Sequence, residues 1–160
     1  MTTVNELMSG EVVTVTPRCS VPELERTLAN ADVSGVPVVD GGRLVGVVSA
    51  RDVLRRIGAA HSEAELVPDY YTDLSGFAHA GAAAAAREAI GASVGERVDH
   101  LTVADLMSPA VISVAPETDI TVAARLMVER GVHRLPVVAG DRLLGLVTSL
   151  DLLRWLAGLD

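Results

Sequence analysis

The chain has 160 residues and a net charge of -8, and 49% of it is hydrophobic although only 2% is aromatic. The acidic balance argues against a nucleic-acid partner, which usually needs a basic face, and no run approaches the ~20 apolar residues of a membrane helix. A single cysteine, Cys19, excludes an internal disulfide framework, so we expect a reducing, cytoplasmic location without membrane insertion.

The sequence contains two copies of one unit. Residues 4–57 align without a gap on residues 103–156, at an offset of 99 positions. Because a unit of ~55 residues buries a poor core alone, we expect the two copies to share a core and to pack about a pseudo-two-fold axis. Such packing creates two related clefts between the copies.

Each copy is predicted to begin with a short helical turn, a β-prone run and a helix. The turns are predicted over residues 3–8 and 102–107, and the β-prone runs over residues 12–15 and 111–114. Ser20 opens the first helix with a capping box that ends at Glu23. Thr118 or Asp119 is predicted to cap the equivalent helix of the second copy.

The second half of each copy is predicted to be a β-hairpin followed by a closing helix. Apolar strands are predicted over residues 36–39 and 135–138, returning strands over 44–48 and 143–147, and closing helices over 50–57 and 149–157. Strands this apolar are typical of sheets covered on both faces. The predicted fold is therefore α/β, with the order β-α-β-β-α in each copy.

A connector, residues 58–101, separates copy one (residues 1–57) from copy two (residues 102–160). It contains both tyrosines and a predicted helix over residues 82–90. A connection of this length is too long to be structureless inside a compact domain, so we expect one or two helices packed at the edge of the module. The alternative is a docking surface for another protein.

Both closing helices start at the same polar pattern. A strand ends at Ser49 or Thr148, and an aspartate, Asp52 or Asp151, follows three residues later. The pattern is typical of a capping box, in which the carboxylate accepts a backbone N–H and complements the helix dipole. A carboxylate can also hold the neighbouring hydroxyls of a ribose, as in dinucleotide-binding folds, and both interpretations stay open here.

The residues that precede the apolar strands differ between the copies. Copy two has two adjacent cations, His133 and Arg134, whereas copy one has Ser34 and Gly35. Arginine is suited to bidentate phosphate binding, although such a pair is also typical of a solvated strand edge. We therefore expect two unequal clefts.

The order of these elements resembles the CBS motif, and the tandem pair resembles a Bateman module. The residues that carry the resemblance are Leu-Met-Ser at 7–9 and 106–108, Pro-Val-Val at 37–39 and 136–138, and Gly-x-x-Ser/Thr-x-x-Asp at 46–52 and 145–151. The resemblance implies a regulatory module that binds AMP, ADP, ATP or S-adenosylmethionine and requires no cofactor. It also implies a homodimer formed through helices, here near residues 21–30 and 50–57.

The resemblance assigns five residues to a first cleft, cleft A. Ser49 and Asp52 are expected to hold the ribose, His133 and Arg134 to contact phosphate, and Arg51 to add charge.

The resemblance assigns a second set of residues to cleft B. Thr148 and Asp151 are expected on the ribose side, faced by Ser34 and Gly35. Thr118 matches a threonine that family members often carry before the first long helix. Because copy one lacks the two cations, we expect cleft B to hold a charged nucleotide less well than cleft A.

The sequence contains no nucleophile–base pair, metal-ligand spacing or glycine-rich phosphate loop, so we expect no catalysis. A regulatory module without a catalytic domain needs a separate effector protein. The alternative is a dimerisation scaffold with vestigial clefts, because the Ser/Thr-x-x-Asp pattern also has the capping explanation.

Overall fold

A computed structural model describes residues 1–56, 68–72 and 99–159, and its elements follow the same order in both copies. Copy one contains α1 (Val4–Leu7), α2 (Val21–Ala31), β1 (Gly35–Asp40), β2 (Arg43–Ser49) and α3 (Ala50–Arg56). The connector contributes α4 (Asp69–Thr72), and copy two contains α5 (Val103–Leu106), α6 (Ile120–Arg130), β3 (Arg134–Ala139), β4 (Arg142–Thr148) and α7 (Ser149–Leu156). The α/β prediction is confirmed, and the helix predicted over residues 82–90 lies outside the described residues.

Polar side chains cap the two long helices where the sequence predicts. The N–H of Ser20 donates to the Glu23 carboxylate at 2.8 Å, and the N–H of Glu23 donates back to the Ser20 hydroxyl at 3.3 Å. In copy two the Asp119 carboxylate accepts the N–H of Thr121 at 2.8 Å. Asp119 rather than Thr118 is therefore the cap, which satisfies an N–H that has no partner within the helix.

Each copy contributes one antiparallel hairpin to a four-stranded sheet with the order β1-β2-β4-β3. β1 pairs with β2 and β3 pairs with β4, and the register of both pairings shifts at equivalent places, after Val38 and after Val137. The hairpins meet at one residue pair, Arg43 and Arg142, which occupy equivalent positions of the two copies. This contact places a pseudo-two-fold axis between the hairpins.

The β-prone runs over residues 12–15 and 111–114 are reduced to single parallel bridges, from Val15 to Val38 and from Val114 to Val137. The N–H of Val15 donates to the carbonyl of Pro37 at 3.2 Å. To extend this ladder toward the N-terminus, residue 37 would have to donate an N–H, and proline has none. The first strand of each copy is therefore much shorter than the sequence pattern predicts.

The copies exchange their N-terminal segments. The N–H of Val4 donates to the carbonyl of Thr118 in copy two, and the N–H of Val103 donates to the carbonyl of Cys19 in copy one, both at 2.8 Å. Isolated bridges extend the exchange on both sides of the axis, at Ser9–Leu146 and Val47–Ser108. Each copy is therefore completed by the first turn of the other.

Two glycines let the exchanged segments approach the sheet. A Cβ on Gly46 would lie 2.7 Å from the carbonyl oxygen of Ser108, and a Cβ on Gly145 would lie 2.6 Å from that of Ser9. Both distances are shorter than van der Waals contact, so these positions require glycine. These glycines therefore allow the backbone of the exchanged segments to lie directly against the sheet.

Two hydrophobic clusters fill the interior, and each draws residues from both copies. The copy-one cluster is completed by Leu101, the last residue of the connector, and by Val103 and Leu106 of copy two. The copy-two cluster includes Val4 and Val47 of copy one, together with Tyr70 and Tyr71 of the connector. The copies therefore share their cores, as units of this size require.

Candidate functional site

Both strand-to-helix junctions contain the predicted hydroxyl and carboxylate. The N–H and the hydroxyl of Ser49 donate to Oδ2 of Asp52 at 2.7 and 2.9 Å, and the N–H of Asp52 donates back to the Ser49 hydroxyl at 3.4 Å. In copy two the corresponding distances between Thr148 and Asp151 are 2.7, 2.6 and 3.2 Å. One oxygen of each aspartate thus caps its helix, and the other, Oδ1, is left for further contacts.

The Oδ1 atoms of the two aspartates have different surroundings. Oδ1 of Asp52 lies 3.7 Å from the guanidinium of Arg55, and the same guanidinium lies 2.7 Å from the carboxylate of Asp69. Oδ1 of Asp151 makes no hydrogen bond or ion pair within residues 1–56, 68–72 and 99–159. The carboxylate of Asp52 is therefore linked to the connector through Arg55, whereas Asp151 has no such link to residues 68–72.

A groove of about 540 Å³ adjoins Asp151. The closing helix and the exchanged N-terminal segment line it, through Thr2, Glu6, Leu7, Asp151, Arg154, Trp155 and Leu159. The carboxylate of Asp151 thus shares a concave site with a cation, Arg154, and with an indole ring. Sites of this size and mixed polarity are typical of small-molecule binding.

Connector residues fill the space beside Ser49. The rings of Tyr70 and Tyr71 are fully buried and meet edge to face, with their centres 5.2 Å apart. A Cβ on Gly35 would lie 3.1 Å from the Tyr70 ring, so this ring packs on the start of β1, where Gly35 pairs with Ser49. The Arg134 guanidinium lies over the same ring, 5.1 Å from its centre. Because Gly35 and Arg134 are equivalent positions, Tyr70 contacts both copies at once.

The predicted cations of cleft A engage this connector segment. Beside the contact of Arg134 with Tyr70, the N–H of His133 donates to the carbonyl of Tyr71 at 2.7 Å. The guanidinium of Arg51 lies 3.8 Å from the carboxylate of Asp69. The predicted cleft A residues therefore lie around one site, and the short helix α4 occupies it.

Burial keeps both connector tyrosines neutral. Desolvation raises the pKa of Tyr70 well above its ordinary value of 10 and raises the pKa of Tyr71 to about 12. The Tyr71 hydroxyl accepts the N–H of Ile112 at 2.8 Å, a bond that partly offsets the desolvation. These rings therefore behave as uncharged core side chains at neutral pH.

Ser34 and Gly35, the predicted lining of cleft B, lie beside the junction of their own copy, just as Arg134 pairs with Thr148 and the carbonyl of His133 accepts the N–H of Ser149 in copy two. Because β1 pairs with β2 of its own copy, Gly35 lies opposite Ser49, and the carbonyl of Ser34 accepts the N–H of Ala50 at 2.8 Å. Ser34 and Gly35 thus belong to the copy-one junction. Thr118 holds the exchanged N-terminal segment through its carbonyl. The groove beside Asp151 is bounded instead by that exchanged segment.

Four residues of this region escaped the sequence analysis: Arg55, Asp69, Tyr70 and Tyr71. A signal was present, because the chain has only two tyrosines and they are adjacent in the connector. Large rings rarely lie in solvent when a core is available. The connector therefore reaches the interior at these residues, whereas the sequence analysis placed it at the edge.

The described parts of the chain contain no helix that is long and apolar enough to cross a membrane. They also contain no group of three His, Cys, Asp or Glu side chains that could hold a metal ion.

The family model for the CBS domain matches this chain twice, over residues 4–59 and 103–158. The chain belongs to the CBS domain family. One match falls in each copy, so the exchanged N-terminal segments, the hairpins and the two Asp-capped helices together form a CBS pair, which confirms the predicted Bateman module.

Relatives of this CBS pair include the chloroplastic CBS domain-containing protein CBSX2 of Arabidopsis thaliana, which is 32% identical over 145 residues, or 88% of this chain and 56% of CBSX2. A crystal structure of CBSX2 in complex with AMP has a TM-score of 0.69 at 27% identity, and the match covers 100% of this chain and 99% of that chain. The uncharacterized protein MJ1225 of Methanocaldococcus jannaschii is 29% identical over 154 residues, or 96% of this chain and 42% of MJ1225. The chain spans about half the length of these two curated relatives.

Proposed function

We propose that this CBS pair is a non-catalytic regulatory module that binds an adenosyl ligand, namely AMP, ADP, ATP or S-adenosylmethionine, and requires no further cofactor. The copy-two junction carries the proposal: Thr148 and Asp151 cap the closing helix through Oδ2 of the aspartate, and the same carboxylate borders a groove in which Oδ1 can accept from a ribose. The presence of AMP in the crystal structure of CBSX2, which is 27% identical, supports the ligand class.

The groove beside Asp151 is the more accessible of the two proposed sites. Oδ1 of Asp151 is positioned to accept from ribose hydroxyls, Trp155 offers a face for the base, and Arg154 offers a phosphate partner. The groove also contains a second carboxylate, Glu6, so two acidic groups accompany one cation. We therefore propose that this groove prefers AMP or S-adenosylmethionine to the more highly charged ATP.

The bound state is proposed to reach a separate effector protein in the cytoplasm. A ligand that binds one relative orientation of the two copies more tightly shifts the population toward that orientation. The exchanged N-terminal segment lines the groove of copy two, so a ligand there contacts residues of both copies. The single cysteine supports a reducing compartment.

We also propose a homodimer that forms through α6 and α7. These helices border an apolar groove of about 800 Å³, and Val128 and Leu156 are 82% and 75% exposed. The copy-one residue equivalent to Val128 is Ala29, so copy two presents the larger apolar face.

Sedimentation velocity tests this interface. We expect Val128→Glu to be monomeric and Ala29→Glu to remain dimeric. A dimer that survives Val128→Glu contradicts this interface.

Calorimetric titration with AMP, ATP and S-adenosylmethionine tests the ligand proposal, on protein freed of carried-over small molecules. We expect AMP to bind and Asp151→Asn to weaken it. The matched control is Asp105→Asn, because Asp105 is itself exposed and accepts the N–H of Thr102 at 2.9 Å in the same kind of cap. Equal affinity in wild type and Asp151→Asn would remove Asp151 from the site.

A dimerisation scaffold with vestigial clefts is the second candidate function. Two observations favour it: both aspartates already serve as helix caps, and α4 fills the place of cleft A. A scaffold predicts that no adenosyl compound binds, while Asp52→Ala and Asp151→Ala lose stability only.

A further inference from the structure

We propose that connector residues 68–72 compete with the ligand for cleft A, so that an adenosyl ligand enters cleft A only by displacing them. The identity of the ligand rests on the function proposed above. The competition itself rests on the contacts that these five residues make with both copies.

Asp69 takes the place that a ligand phosphate would take. Its carboxylate, which belongs to a residue only 8% exposed, lies 2.7 Å from the guanidinium of Arg55 and 3.8 Å from that of Arg51. Arg55 in turn contacts Asp52. A buried anion thus occupies the basic side of cleft A, and a phosphate entering there would compete for the same two arginines.

Tyr70 takes the place that a base would take. Its ring lies between the start of β1, where Gly35 leaves room for it, and the guanidinium of Arg134. Arginine stacks on aromatic faces of either kind, a phenol or a purine. An aromatic ring and an acid in one short segment therefore satisfy the residues that would otherwise contact a nucleotide.

The ion pairs of residues 68–72 join them to copy one. The connector contacts Gly35 and Arg134, which occupy equivalent positions of the repeat but differ in size and charge. No hydrogen bond or ion pair joins Thr148 or Asp151 to residues 68–72, which approach this junction through Arg134, the partner of Thr148 in the sheet, and through His133. The two clefts of this module therefore differ by an internal occupant as well as by their charges.

The segment is short enough to leave. Apart from its ion pairs, α4 is one helical turn, held by the bond from His133 to the Tyr71 carbonyl, by the bond from Ile112 to the Tyr71 hydroxyl and by the burial of the two tyrosine rings, which the ligand would have to replace. When a binding-competent state is only partly populated, the apparent affinity falls by the populated fraction. Weakening the segment must therefore strengthen ligand binding in cleft A.

AMP titration of the full chain tests this competition, in an Asp151→Asn background that isolates cleft A. Asp69→Asn should raise the affinity of cleft A for AMP by about tenfold or more, because it removes the charged partner of two arginines. Tyr71→Phe, which only deletes the hydroxyl bond to Ile112, should raise it less and serves if Asp69→Asn fails to fold. The matched control is Asp99→Asn at an exposed connector turn, which should leave the affinity unchanged.

Nuclear magnetic resonance of protein grown with ring-labelled tyrosine gives a readout that does not depend on affinity. The chain has only two tyrosines, so the two ring signals report residues 68–72 alone. At saturating AMP we expect both signals of the Asp151→Asn protein to move to the positions of solvent-exposed tyrosine.

Unchanged AMP affinity in Asp69→Asn and Tyr71→Phe, or unmoved tyrosine signals at saturation, would overturn the competition. In that case AMP still binds to the wild type, and the proposed function stands. If neither AMP, ATP nor S-adenosylmethionine binds to the wild type or to any variant, the proposed function fails and the inference fails with it.

Discussion

The two Asp-capped junctions have the same internal hydrogen bonds and opposite surroundings. At Ser49 and Asp52 the connector supplies a buried ring and an acid, and Oδ1 of the Asp52 carboxylate faces Arg55. At Thr148 and Asp151 the carboxylate borders an open groove. The local sequence pattern therefore defines the helix cap, whereas contacts with residues distant in the sequence define whether the carboxylate is available to a ligand.

The largest expected difference between the two junctions concerns their aromatic neighbours. Tyr70→Ala should destabilise the fold by about 3–5 kcal/mol, because it removes a fully buried ring from contacts with both copies. Trp155→Ala, beside the other junction, should cost much less, since Trp155 is 38% exposed. Urea denaturation measures both variants. Equal losses in the free energy of unfolding would mean that the Tyr70 ring does not cover the copy-one junction.

A second experiment tests the part of the fold in which the copies are alike. Gly46→Ala and Gly145→Ala should each cost about 1–3 kcal/mol, because the added Cβ would meet a carbonyl oxygen at 2.7 or 2.6 Å. Gly10→Ala is the control, since its Cβ meets no atom within 4 Å. Thermal denaturation should show similar losses for both sites, and a loss at only one would contradict the symmetric exchange of N-terminal segments.

The buried tyrosines predict a loss of stability at alkaline pH. An unfolded tyrosine ionises near pH 10, whereas folded Tyr71 has a pKa of about 12. The contribution of Tyr71 to the free energy of unfolding is therefore fully present below pH 10 and is lost as the pH rises toward 12. A loss on the order of 2 kcal/mol is expected.

The chain suits this measurement because it contains no lysine. Burial also raises the pKa of Cys19, so urea denaturation as a function of pH is best made in a Cys19→Ala background. Tyr71→Phe should make the loss of stability between pH 10 and 12 shallower, and Tyr70, whose pKa is also raised by burial, should account for the loss that remains. A flat profile in the protein that retains both tyrosines would show that the rings are exposed.

The smallest differences are expected at the caps themselves. Asp151→Ala and Asp105→Ala should each cost about 1 kcal/mol, the usual value of a helix cap. Asp52→Ala should cost more, because it also leaves Arg55 without one of its carboxylates. Urea denaturation of the three variants measures these losses of stability and ranks them. A loss at Asp52 no greater than at Asp105 would show that the contact with Arg55 contributes nothing.

The repeat, the hairpins and the capped helices were predictable because each depends on neighbours in the sequence. The bonds between Ser20 and Glu23, or between Thr148 and Asp151, join residues three positions apart. The first strands were predicted too long because their pairing depends on a residue of another segment, Pro37, which lacks an N–H. The assignment of residues to clefts A and B stays a prediction, and strand pairing places Gly35 beside Ser49 and Arg134 beside Thr148.

By itself, the sequence determined that two like units exist, which elements they contain and which aspartates cap their closing helices. Only the tertiary structure decided that the first turns change places, that one tyrosine ring contacts both copies and that the Asp151 junction borders a groove. The physical reason is distance along the chain: the hydroxyl of Tyr71 accepts its bond from Ile112, 41 positions away. A contact of that kind forms only when packing of the shared core has brought both copies and the connector together.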